Sequence, residues 1–172
     1  RLAGCCVITP GYAQEMARYN AWQNRQLASV IEVMDEDALT RDRKAFFGSI
    51  LGTLNHLLWC DQIWLSRFDP ALPKPEGPDT ELCPTGMAWR AARRECDASI
   101  KDWAQGLRQE ALDADLSWHS GILQREVTTP LAQTVVHFFN HQTHHRGQVH
   151  AMLTSAGYDA PVTDLILMPE DV

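Results

Sequence analysis

Apolar residues recur at close to the 3.6-residue helical period through four stretches of the chain, which predicts four long helices. The first runs from Pro10 to Met34, with Tyr12, Met16, Tyr19, Leu27, Val30, Ile31 and Met34 on the repeat. Thr9-Pro10 gives it an N-cap and a first-turn proline. The second, Phe46 to Phe68, places Phe47, Ile50, Leu51, Leu54, Leu58 and Leu65 on one side and stops at Asp69-Pro70. The third follows a cap at Thr85 and runs from Gly86 to Leu107; the fourth opens at Thr129-Pro130 and ends at Ala156, before Gly157.

Between these stretches the pattern lapses in two informative ways. Pro70, Pro73, Pro75, Pro78 and Pro84 fall within residues 69–84, a density that no regular element survives, so this segment is a crossover loop. From Leu112 to Thr129 the period shortens towards two, which predicts a short hairpin or strap turning near Ser120-Gly121. The last fifteen residues, with Pro161 and Pro169, read as a tail laid over the helices. The expected fold class is therefore all-α: a four-helix bundle with a proline-rich crossover loop and a short hairpin before the last helix. Residues 1–172 are expected to form one domain. Residues 1–8, which begin at Arg1 and not at Met, are expected to be disordered or to lie outside the natural start.

Composition narrows the function. The 172 residues carry 15 Lys and Arg against 22 Asp and Glu, a formal net charge of −7. That balance disfavours nucleic acid and anionic membrane surfaces, both of which are recognised by clustered cations. Five cysteines, with no CxxC pair, suggest reduced thiols in a cytoplasmic protein and not a disulfide framework. Nucleotide-binding and serine-hydrolase fingerprints are absent from the sequence.

The histidines carry the chemistry. Five of the seven lie in HFFNHQTHHRGQVH: His137, His141, His144, His145 and His150. With His145 as origin and about 100° per residue, Leu131, Phe138, Val149 and Met152 fall within roughly 40° of it. His141 sits at the edge of that buried stripe; the other three lie off it. Two buried imidazoles one turn apart need partners. A divalent metal would satisfy both, since HxxxH spacing lets two rings reach one ion; carbonyls or carboxylates inside the bundle are the alternative. His56, in the apolar string LGTLNHLLWC, offers a third nitrogen. It shares its helix face with Ser49, Gly52, Thr53, Cys60 and Ile63, mostly small residues that either leave room for a ligand or mark a polar face that is loosely packed or solvated.

The strings SILGTLNHLLWCDQIWLSRF, HFFNHQTHHRGQVHAML and YNAWQN closely resemble the DinB-like (damage-inducible) metal-binding bundle family, over about residues 12–167. That family is grouped with bacillithiol- and mycothiol-linked transferases and is distinct from the DNA polymerase of similar name. The resemblance implies that His56, His141 and His145 bind a divalent ion, nickel or zinc, and that the protein is a homodimer. It further implies a metal-dependent thiol S-transferase or hydrolase acting with a low-molecular-weight thiol or small electrophile. A non-catalytic, metal-stabilised bundle serving as a dimeric interaction or stress-response protein is the second expectation. Either requires the ring of His56 to lie within about 6 Å of the other two, given metal–nitrogen bonds of ~2.1 Å. Asp61 is expected to pair with an arginine, Tyr19, Asn20 and Trp22 to belong to the core, and Gly147 to permit close packing beside Arg146. His119 has no assigned role.

Overall fold

The computed structural model describes residues 7–121 and 123–172. In chain order the elements are α1 (Pro10–Glu32), α2 (Glu36–Thr40), α3 (Ile50–Phe68), α4 (Gly86–Gly106), α5 (Gln109–Leu112), β1 (Asp115–Ser120), β2 (Arg125–Pro130) and α6 (Leu131–Ser155). A 3-10 turn, Leu165–Leu167, follows. Of the leading stretch, residues 1–6, including Cys5 and Cys6, lie outside the described residues, while Ile8 is part of the core.

The helix boundaries follow from local chemistry. Thr9 Oγ1 accepts from the Tyr12 N–H at 3.3 Å, and Thr85 Oγ1 accepts from the Ala88 N–H at 3.2 Å. Gly157, at φ 83°, adopts the left-handed conformation that ends α6. The expected start of the second long helix at Phe46 is corrected to Ile50. Lys44 and Gly48 both have positive φ, which turns the chain, and Ser49 Oγ caps α3 by accepting from Gly52 N–H at 3.0 Å. Phe46 and Phe47 thus belong to a loop and not to the helix.

The purely all-α expectation is also corrected. The region that shortens its period folds as a two-stranded antiparallel sheet, β1 against β2, with Leu116 opposite Thr129 and Trp118 opposite Val127. Alternation in β1 turns Leu116, Trp118 and Ser120 inward, so the strand covers apolar surface with one face only.

Four long helices pack around a common interior: α1 on α4, α4 on α3, α3 on α6 and α6 on α1. Side-chain pairs give their directions. Gln14 reaches Ala104 while Glu32 pairs with Arg90, so α1 and α4 are antiparallel. Trp89 meets Leu54 while Trp103 stacks on Phe68, so α3 and α4 run the same way. Parallel neighbours require the chain to return the full length of α3, about 28 Å. The proline-rich segment after Asp69 supplies that extended return, which is why the prolines cluster there.

The core contains a polar layer as well as apolar contacts. Asn20 and Asn24 of α1, Asp61 of α3, Arg93 and Asp97 of α4, and Gln142 and Arg146 of α6 are all buried. Arg93 lies 2.6 Å from Asp61 and 2.8 Å from Asp97. Gln142 donates to Asp61 at 3.0 Å, Asn20 and Asn24 donate to Asp97, and Arg146 donates to Asn20. Two carboxylates and two guanidiniums balance, and every long helix contributes. Burial alone would push Arg93 down, but Asp97, Cys96 and Asp61 hold its pKa above the ordinary value. A layer of this kind ties the register of the four helices together, because any slip strands a buried charge.

The tail runs back along α1. Tyr19 Oη donates to the Thr163 carbonyl at 2.6 Å, Gln23 to the Val162 carbonyl at 2.8 Å and Arg18 to the Glu170 carbonyl at 2.7 Å. Among the described residues, no helix is long and apolar enough to cross a membrane.

Candidate metal centre

The antiparallel helices α3 and α6 form a seam that collects the histidines. On α3, His56, Cys60, Trp64 and Arg67 succeed one another at near-turn spacing; on α6, His145, His141 and His137 do the same in the opposite direction. The ring of His56 lies 4.7 Å from that of His145 and 5.4 Å from that of His141, centroid to centroid, inside the 6 Å limit set by the sequence reading. His141 Nε2 and His145 Nε2 are 3.0 Å apart. One nitrogen from each of the three histidines lies within 4.8 Å of the other two.

These donors fit a divalent ion. Tetrahedral bonds of ~2.0–2.1 Å separate neighbouring nitrogens by about 3.3 Å, close to the 3.0 Å spacing of His141 and His145 and short of the 4.8 Å full spread by about 1.5 Å. The remaining nitrogens of two rings are already engaged. His56 Nδ1 donates to Asp79 Oδ2 at 2.7 Å, because a carboxylate only accepts; His145 Nδ1 donates to Gln148 Oε1 at 2.7 Å. Each such bond places the proton on Nδ1 and leaves Nε2 unprotonated, the arrangement that orients metal-binding imidazoles; in His145 that Nε2 faces His141 Nε2. Burial, and then the rings of His145 and His56, push His141 down to about 3, and burial also lowers His145. Both rings are neutral near pH 7, the form that can coordinate.

The surroundings hold His56 in place. Phe47 stacks on its ring at 3.8 Å between centroids. Cys60 Sγ lies 3.5 Å from Nε2 and 3.9 Å from Nδ1, so it packs on the ring and not end-on to one nitrogen. Burial pushes the Cys60 thiol up to about 12, and it is protonated at neutral pH. The small residues on this face have structural reasons. Ser49 caps α3, Thr53 Oγ1 donates to the Ser49 carbonyl at 2.9 Å, and a Cβ on Gly52 would meet the Phe47 carbonyl. Gly52 therefore lets the Phe47 loop lie against the helix.

Asp79 is brought from the crossover loop by the residue preceding His56. Asn55 donates to the carbonyls of Thr80 and Cys83 at 3.1 and 2.9 Å and accepts from the Cys83 N–H at 3.1 Å. Sequence reasoning missed Asp79 and Gln148. Gln148 was findable as the i+3 neighbour of His145; Asp79, on an irregular loop, carried no signal beyond its position after Pro78.

Other expectations sort plainly. Asp61 is salt-bridged and buried, while Tyr19 and Asn20 belong to the core. His119 pairs with Glu126 on the exposed hairpin, away from the trio. His144 is exposed, its ring 4.8 Å from that of His145; His137 is exposed but edges on Trp64. Gly147 is corrected: a Cβ there would touch nothing, so no close approach explains it. A groove of about 520 Å³ between α1 and α4, floored by Arg93 and Asp97, is separate from the histidines.

Comparison with known proteins gives a consistent picture. The sequence matches the model of the DinB family over residues 9–171. It is 26% identical over 163 residues to Protein DinB of Bacillus subtilis, covering 89% of this chain and 91% of that protein. A crystal structure of a DinB-like protein from Bacillus cereus superposes with a TM-score of 0.61 at 15% identity, covering 82% of this chain and 90% of that one, which supports the fold.

Proposed function

This chain belongs to the DinB family, and we propose that it is a metal-dependent enzyme whose His56, His141 and His145 hold one divalent ion, nickel or zinc, in an open three-nitrogen site. The observation that carries the reading is the convergence of three imidazoles from two helices within 4.8 Å, with Asp79 and Gln148 engaging the far nitrogens of two of them. We read the ring of four long helices as a four-helix bundle built to hold these side chains in register.

When bound, such an ion acts as a Lewis acid and lowers the pKa of a water or thiol at its open positions. The chain supplies the rest. Asp79 and Gln148 fix the tautomers of His56 and His145, and Phe47 and Cys60 exclude solvent from the faces of His56. The buried Gln142–Asp61 bond anchors α6 between the two histidines it carries. The reaction class that suits this site is thiol S-transfer or hydrolysis, with a low-molecular-weight thiol or a small electrophile as partner. We place the protein in the cytoplasm as a homodimer; its three cysteines among the described residues are free.

Metal analysis of protein purified without a nickel column tests the reading. One equivalent in the wild type, lost in His141→Ala, is expected. A wild type that takes up no nickel or zinc, or full occupancy in His141→Ala, overturns it. A metal that raises thermal stability without turnover of any thiol or electrophile would assign the ion to tying α3 to α6, the non-catalytic alternative.

A further inference from the structure

The seam between α3 and α6 continues beyond the histidines, and its far end carries a charge with no partner. The Arg67 guanidinium carbon lies 4.4 Å from the Trp64 ring centroid and 5.6 Å from that of Trp118, which the hairpin brings over from β1. Trp64 also meets the edges of Trp118 at 5.2 Å and His137 at 5.4 Å, and the ring of His137 is 5.8 Å from that of His141. A run of rings therefore leads from the histidine trio to Arg67, with Phe47 at one end and Trp118 at the other.

A guanidinium stacked on an indole keeps its in-plane N–H groups free to donate. Among the described residues, no carboxylate pairs with Arg67 and no acceptor hydrogen-bonds to it, although the chain has more acidic than basic residues. Arg18, Arg90 and Arg93, by contrast, each have an acidic partner. Arg67 is partly buried, and that burial lowers its pKa. Its charge acts on the seam itself, at His137 and Cys60. A partly buried fork of donors that lies beside the histidine seam and lacks an anion is suited to receive one.

We infer that Arg67, held between Trp64 and Trp118, is a specificity residue that binds a carboxylate of the small molecule presented to His56, His141 and His145. The inference rests on the metal-site reading and adds the substrate class: a compound whose carboxylate stands about two to three helical turns, ~11–16 Å, from the atom offered to the histidines, since Arg67 follows His56 by eleven residues on α3. Arginine suits this role because its planar fork matches a carboxylate with two parallel hydrogen bonds.

The test uses cobalt(II)-loaded full-length protein titrated with ω-mercaptoalkanoates of increasing chain length and with the matching ω-mercaptoalkanols. The thiolate–cobalt charge-transfer band reports binding. At the best length the acid should bind about tenfold more tightly than the alcohol. Arg67→Met, which preserves an apolar stem against the indoles, should bring the acid down to the alcohol's affinity and leave the alcohol and the cobalt spectrum unchanged. Arg67→Lys should retain part of the preference. Equal affinities at every length, or a preference that survives in Arg67→Met, overturns the assignment. Failure of cobalt to bind rejects the metal reading instead. The anion site is then read directly from the indole N–H resonances of Trp64 and Trp118 on addition of the plain alkanoates. Shifts present in the wild type and absent in Arg67→Met support it; no shift in the wild type rejects it.

Discussion

Asp79 and His56 are 23 residues apart, yet Oδ2 of one lies 2.7 Å from Nδ1 of the other. The loop that carries Asp79 is pinned at the same place by Asn55, so two adjacent residues of α3 hold the crossover, one structurally and one through the imidazole. Replacing Asp79 by Ala leaves the His56 ring packed against Phe47 and Cys60 but removes the acceptor that fixes its tautomer. Zinc or nickel affinity, measured by competition with a chelator, should fall about 10- to 100-fold. The partly exposed position of Asp79 predicts little change in folding stability; an unchanged affinity would show that the carboxylate does not orient the ligand.

Metal binding should be visible in stability. An ion that binds only the folded chain stabilises it by about 2.7 kcal/mol at a hundred times its dissociation constant. Thermal unfolding of chelator-stripped protein should therefore move to higher temperature on adding zinc or nickel. His145→Ala should abolish the response, whereas His119→Ala, on the exposed hairpin, should leave it intact. A shift of equal size in His145→Ala would mean that the ion binds elsewhere.

How much of this was legible beforehand differs by level. The long helices could be read because caps such as Thr9 and Thr85 coincide with the start of a sustained 3.6-residue period, and Pro70 and Gly157 mark two of the ends. The start of α3 was misread because Phe46 and Phe47 extend its apolar run, while the information against a helix lay in Gly48-Ser49, a turn residue followed by a cap. His141 and His145 stood out because both fall near the apolar stripe of one helix. The position of His56 could not be fixed on its own wheel, since what covers that face is Phe47 from a preceding loop and Asp79 from a following one. Of the polar layer only two fragments were legible, the pairing of Asp61 with an arginine and the core place of Asn20; Asp97, Gln142 and Arg146 are ordinary surface residue types until four helices bring them together.

That layer makes a prediction of its own. Arg93 has two carboxylates within 2.8 Å, and Arg93→Met leaves Asp61 and Asp97 buried without it. Breaking a buried pair from one side costs about 3–5 kcal/mol, so denaturant unfolding should shift by that order. Adding Asp61→Leu to Arg93→Met removes one stranded charge, and the double variant should be more stable than the sum of the single losses requires. Strict additivity would mean that Asp61 and Arg93 are not coupled.

Two glycines should respond to alanine in opposite directions. Gly147 is exposed in the interior of α6, and a Cβ there meets nothing within 4 Å. Without a packing reason the glycine only adds flexibility to the unfolded chain, so Gly147→Ala should stabilise the protein by about 0.5–1 kcal/mol. Gly86 opens α4, where a Cβ would stand 2.7 Å from Leu39 Cδ1 and 2.9 Å from Ile31 Cγ2, both buried in the core. Neither neighbour can retreat without disturbing its own packing, so Gly86→Ala should destabilise by about 1–3 kcal/mol. The two variants, measured side by side by chemical denaturation with the metal removed, separate the helix propensity of the site from its steric surroundings. If Gly147→Ala is also destabilising, α6 depends on the flexibility of that residue, and its neighbours His145 and Arg146 are the first place to look for the cause.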